Sequence, residues 1–117
     1  PTREFLYSTD AARGIVMATQ NYNDSEPVNL GTHSEVPIRD LIELICELME
    51  FKGEIVWEID KPNGQPRRCL DTERAKTAFG FTAQTEFKEG LKNTIDWYRK
   101  HAVWAWKTRF LQEAGFF

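Results

Sequence analysis

Long apolar runs are missing from this chain. No stretch approaches the roughly 20 consecutive apolar residues of a membrane span. The opening Pro1-Thr2-Arg3-Glu4-Phe5 carries no apolar signal core. The expectation is a protein with neither a membrane segment nor a secretory leader. Cysteine is scarce: Cys46 and Cys69 do not make a disulfide framework. Cys46, among Ile42, Ile45 and Met49, reads as a small core hydrophobe. This usage suits a reducing cytoplasm. His33 and His101 share no metal-ligand spacing with either cysteine, so no metal site is expected. An excess of basic charge is lacking too. Lys and Arg number 15 against 18 Asp and Glu, a net charge of −3, which argues against nucleic acid as a partner. There is no Gly-x-Gly-x-x-Gly, no P-loop and no Gly-x-Ser-x-Gly, the marks of dinucleotide, nucleoside-triphosphate and hydrolase sites. An initiator Met is absent as well, as expected of a piece of something longer.

What is present amounts to one unit, residues 1–117. At 13.6 kDa, 41% hydrophobic and 28% charged, the chain supports a single core. Residues 3–7 read as extended. Ser8 or Thr9 caps a first helix, with Ala11, Ala12, Ile15, Val16 and Thr19 on one face. Val28 to Gly31 reads as a brief buried strand. A second helix begins near Pro37 and is closed by Gly53, its stripe being Ile38, Leu41, Ile42, Ile45 and Met49. Residues 54–60 alternate Ile55, Trp57 and Ile59 against Glu54, Val56 and Glu58, the pattern of a half-buried strand. Asp71 or Thr72 caps a short helix closed by Gly80. Thr85 caps the last helix, with Phe87, Leu91, Ile95 and Tyr98 as its stripe. Residues 101–117 form an aromatic tail (Trp104, Trp106, Phe110, Phe116, Phe117) that needs a surface to bury against. The fold class is α/β in an α+β-like form, a small helix-rich lobe with a few short strands.

The segment with most chemical content is Lys61-Pro62-Asn63-Gly64-Gln65-Pro66-Arg67-Arg68. It holds three cations and no acid, and its two prolines and glycine forbid a regular helix or central strand. An arginine fork matches a phosphate and a lysine adds a point charge. One reading is therefore a clamp on an anion such as a diphosphate. The other is a solvated loop whose arginines pair with Asp60, Asp71 or Glu73. Arg3, fixed by extended backbone, is a second candidate that either enters a cleft or stays on the surface. Arg68, beside Arg67 in an extended stretch, is expected to point the opposite way and to pair with surface acids. The terminal aromatics read as core or interface rather than a stacking platform.

Several of these segments resemble a known pattern. Arg3-Glu4-Phe5-Leu6-Tyr7 with Asp10-Ala11-Ala12 resembles the R-E-F-L-x-V-D-D-x-A segment of extended short-chain dehydrogenases/reductases, the NAD-dependent epimerase/dehydratase family. Pro27-Val28-Asn29-Leu30-Gly31-Thr32 resembles its V-N-[IL]-G-T strand. Residues 61–68 with Leu70-Asp71 are similar to K-P-D-G-x-P-R-K/R-x-L-D of the fucose synthase subgroup. Phe87 to Leu91 and Thr94 to Tyr98 resemble its closing helix. The match is collinear from Arg3 to about Lys100. It departs at Ser8-Thr9, at Asn63 and in the tail. The resemblance implies a C-terminal substrate-binding part lacking the Rossmann domain, which in the family carries NADP or NAD and a Tyr-x-x-x-Lys pair. On that basis the chain has no catalytic or cofactor-binding residue of its own and is inactive alone. Arg3, Lys61 and Arg67 are the implied substrate-binding residues. The implied partners are a nucleotide-diphosphate sugar, GDP-linked for preference, and the missing Rossmann domain; a homodimer stays open. The alternative is a stand-alone binding or interaction domain that keeps the fold without catalysis.

Overall fold

The computed structural model describes the backbone of residues 1–113 and 115, and the side chains of residues 1–102 and 115. The elements run β1 (Thr2–Arg3), α1 (Ser8–Asn21), β2 (Val36–Pro37), α2 (Ile38–Leu48), α3 (Glu73–Phe79) and α4 (Phe87–Glu113). β1 and β2 pair antiparallel, Thr2 opposite Pro37 and Arg3 opposite Val36. Helices dominate, as the sequence pattern predicts. The expectations placed on Trp104, Trp106, Phe110, Phe116 and Phe117 lie outside the described residues.

α1 starts at Ser8 with Tyr7 in extended conformation as its cap residue, so neither Ser8 nor Thr9 caps it. The face it buries also differs from the expected stripe. Asp10 and Gly14, four residues apart, are the buried pair, while Ile15 and Val16 are 59% and 54% exposed. The physical reason lies in Phe81, the largest fully buried side chain. It closes on the glycine, and a Cβ at Gly14 would meet Phe81 Cε2 at 2.9 Å and Leu30 Cδ1 at 3.0 Å. α3 packs on α1 through this contact region, with Ala75 fully buried and Tyr22 edge-on to Phe79 at 5.8 Å.

Pro37 is the cap residue of α2, one position before its first turn. The helix ends earlier than Gly53. The Phe51 amide donates to Cys46 O at 2.9 Å and the Glu50 amide to Glu47 O at 3.1 Å, with Glu50 at φ 56°. This is a Schellman closure with a glutamate in the left-handed position that usually belongs to glycine. α3 keeps the expected stop, Gly80 at φ 72°. At its start Asp71, rather than Thr72, supplies the side-chain acceptor, Oδ1 taking the Glu73 amide at 3.0 Å. α4 begins at Phe87, which puts Glu86 rather than Thr85 immediately before it; the Thr85 amide donates to Asp10 Oδ2 at 2.8 Å. Phe87 packs against Phe5 at 5.7 Å and Ile95 is buried, but Tyr98 is 57% exposed.

Two expected strands are not ladders. Residues 28–31 and 54–60 form no strand, and in the second Val56 and Ile59 are the most exposed apolar side chains described. A strand exists only where a neighbour takes its backbone groups, and no described part of the chain lies alongside either segment in ladder register.

Candidate anion-binding site

β1 is placed by its hydrogen bonds to the segments around it. The Thr2 amide donates to Pro66 O at 2.9 Å, and the Ile38 amide donates to Pro1 O at 3.0 Å. Two positions on, Glu4 ties three segments together. Its Oε1 accepts the Thr32 amide at 2.9 Å, and its Oε2 accepts the Leu70 amide at 2.9 Å and the Cys69 thiol at 3.1 Å. Gly31 makes room for it, since a Cβ there would run into the Glu4 carboxylate. Burial pushes the Glu4 carboxyl up, but the donors from Leu70, Cys69 and Thr32 outweigh it and hold the group below its ordinary value. The Cys69 thiol is pushed up, first by its bond to Glu4 and then by burial.

Arg3 stands between these two fastenings, so its backbone is fixed against the 61–68 loop at Pro66 and against Leu70 just beyond it. Its Nη1 donates to Thr2 O at 2.6 Å, and its Nη2 lies 3.9 Å from where a Cβ of Gly64 would be. The structure therefore brings Arg3 to the cation loop, far from it in sequence. Lys61 and Arg68 are exposed and form no ion pair among the described residues. The surface acid expected on Arg68 is absent there; Arg67 is the one that pairs.

Arg67 pairs with none of Asp60, Asp71 or Glu73. Its Nε donates to Glu35, 2.8 Å from Oε1 and 2.9 Å from Oε2. Glu35 Oε1 also accepts from Thr2 Oγ1 at 2.9 Å. Because successive side chains of a strand leave opposite faces, Arg67 joins the Thr2 side of the ribbon while Arg3 departs from the other. Arg3 and the loop are thus brought together, and Arg67 is brought to Glu35. The Thr2 hydroxyl and then Arg67 hold the Glu35 carboxyl below its ordinary value.

Glu4 and Glu35 carry no site role in the sequence reading. Glu4 has a local signal, its place inside the Arg3-Glu4-Phe5 motif. Glu35 has none, because its partners lie 32 and 33 residues away. Among the described residues no three His, Cys, Asp or Glu side chains converge as a metal site would require, and no helix is long and apolar enough to cross a membrane.

The fold described above is also found in one portion, about a third of the length, of nucleotide-sugar enzymes of the extended short-chain dehydrogenase/reductase class. The solved structures similar to this chain belong to that class, and its homologues are GDP-L-fucose synthases and dTDP-glucose dehydratases. GDP-L-fucose synthase 1 of Arabidopsis thaliana is 39% identical over 101 residues, covering 86% of this chain and 31% of that enzyme. The structure of a GDP-L-fucose synthetase from Naegleria fowleri bound to NADP superposes with TM-score 0.82 at 28% identity, over 88% of this chain and 33% of that one. UDP-glucose 4-epimerase from Thermotoga maritima, solved with UDP-glucose, gives TM-score 0.78 at 27% identity, over 86% and 32%. No family model matches the chain. The chain spans about a third of the length of the curated relatives it matches.

Proposed function

We propose that this chain is the C-terminal, substrate-binding part of an NAD(P)-dependent nucleotide-sugar epimerase/reductase of the GDP-L-fucose synthase type. Its ligand is a nucleotide-diphosphate sugar, with GDP-linked sugars favoured. The observation that carries this is the convergence of Arg3 on the 61–68 loop at Gly64. Two segments that the family resemblance implies for substrate binding meet there, in a fold shared with an epimerase solved with UDP-glucose. Arg3 and Lys61 meet the phosphates; Arg67, the third cation implied by the resemblance, is engaged by Glu35 on the other face of the ribbon.

The residues present offer no glycine-rich turn and no Tyr-x-x-x-Lys pair. A nicotinamide dinucleotide does not fit this chain's own residues, and this reading assigns the hydride carrier and the acid-base pair to a Rossmann domain of the same protein. This lobe contributes orientation and neutralisation of phosphate charge, not proton transfer. Cytoplasmic placement belongs to the same reading.

The test is calorimetric titration of the full-length protein with GDP-linked and UDP-linked sugars. Charge-assisted hydrogen bonds are worth about 1.5–3 kcal/mol each, so Arg3→Ala should weaken binding by about tenfold or more. Lys61→Ala should weaken it less, and neither should change NADP affinity. Arg3→Ala without effect on nucleotide-sugar binding sinks the reading. So does turnover of a nucleotide sugar with NADPH by the purified 117-residue chain.

A further inference from the structure

Glu35 holds together the two segments whose meeting makes the anion site. It stands one residue before β2 and belongs to neither the ribbon nor the cation loop. Its carboxylate takes the Thr2 hydroxyl from the strand that carries Arg3 and the Arg67 Nε from the loop that carries Lys61. The loop backbone is otherwise fastened at Pro66, by the Thr2 amide, and at Leu70, by Glu4. Arg67 lies between those two points, and its side chain is 72% exposed. An exposed arginine loses side-chain freedom when it is held in one geometry. Here it is held by one nitrogen against both oxygens of a carboxylate that is itself anchored by Thr2. Such an arrangement restrains the loop's approach to β1 in the way a second carboxylate orients a ligand side chain in a built site.

We propose that Glu35 is a positioning residue of the anion site. It latches the 61–68 loop to β1, and Arg67 serves the site as the tether of this latch. The inference rests on the nucleotide-sugar reading and refines the place of Arg67 within it. The latch keeps the loop at Gly64 beside Arg3. Arg3 and Lys61 remain the phosphate contacts.

The experiment is a double-mutant cycle in the full-length protein, with Glu35→Gln and Arg67→Gln singly and together. Each is read by the Kd for GDP and UDP and by the rate of tryptic cleavage at the Arg68–Cys69 bond. Glu35→Gln keeps size and an acceptor for Thr2 and removes the charge that holds Arg67. Each single variant is expected to weaken nucleotide binding by about three- to fivefold, the scale of an exposed ion pair. The double variant should be no weaker than either, because the two residues act as one unit. Cleavage should accelerate equally in all three, and NADP affinity should stay constant. Tighter binding in Glu35→Gln overturns the proposal, since it makes Glu35 a competitor for Arg67 rather than a support. A much larger loss in Arg67→Gln than in Glu35→Gln overturns it also, by making Arg67 a direct phosphate ligand. Unchanged cleavage in Glu35→Gln shows that no latch exists. Accelerated cleavage in a protein that binds neither GDP nor UDP upholds the latch and sinks the substrate reading alone.

Discussion

Glu4 holds three segments with one carboxylate, and that dependence has a pH signature. Its folded-state carboxyl lies below the ordinary value of 4.5. A depressed carboxyl contributes stability that is fully present above its unfolded value and is lost as pH falls through the folded one. Stability of the chain should therefore decline from about pH 4.5 downward, and Glu4→Gln should flatten that decline while lowering stability at neutral pH. Urea midpoints across the acid range test this; parallel profiles for the two proteins refute it. Glu50 shows the opposite situation, a residue that costs stability where it stands. Its φ of 56° closes α2 in a conformation that a Cβ disfavours by roughly 1–2 kcal/mol. Glu50→Gly loses part of that gain to the flexibility of the unfolded chain, so a net stabilisation of about 0.5–1 kcal/mol is expected in thermal or urea unfolding.

At the level of elements, α1 is the joint. Asp10 is 3% exposed; its Oδ2 accepts the Gln84 and Thr85 amides, and its Oδ1 meets Arg13 Nη2 at 3.1 Å. Burial raises the Asp10 carboxyl, but these donors prevail and hold it below its ordinary value. Asp10→Ala leaves two amides unsatisfied at the entry to α4. A loss of about 1–3 kcal/mol is expected, together with faster amide exchange at Gln84 and Thr85. Gly14 sets the depth of the same joint. In an exposed helix, alanine would gain nearly 1 kcal/mol over glycine. Here Phe81 and Leu30 occupy the space a Cβ needs, and crowding a packed contact costs about 1–3 kcal/mol. Gly14→Ala should therefore destabilise, and a raised Tm would show that Phe81 yields easily.

The whole molecule is far more open than a self-sufficient domain of its length. Its radius of gyration is 18.3 Å, where a compact chain of this size has about 13–14 Å. Its accessible surface is 9392 Å², against about 6,600 Å² for a folded monomer of this mass. Among the described residues, exposed apolar side chains include Ile15 and Val16 on α1, Val56, Trp57 and Ile59 in the unpaired segment, and Trp97 and Tyr98 on α4. Such an apolar surface calls for a covering body. The isolated chain should bind a hydrophobic dye such as ANS. Supplying, as a separate polypeptide, the Rossmann domain that the proposed function assigns to this protein should suppress that signal, and a dye-negative isolated chain would contradict the open form.

Periodicity placed four helices close to where they lie, because the spacing of apolar residues, the start at Pro37 and the stop at Gly80 are local quantities. The cation loop was legible for the same reason, since two prolines and a glycine prescribe a bent backbone regardless of context. Which face of α1 is buried was not legible. Asp10 and Gly14 make no apolar stripe, and the stripe that exists faces away from the small core. The strand pattern of residues 54–60 was read from an alternation that only a neighbouring strand converts into a ladder. The site divides along the same line. Arg3 and the loop could be named one residue at a time, as cations on constrained backbone. Their meeting at Gly64, the fastening by Glu4, and the commitment of Arg67 to Glu35 were decided by tertiary structure alone. Each depends on partners about 30 to 66 residues apart, and hydrogen bonds over that span leave no period in a sequence.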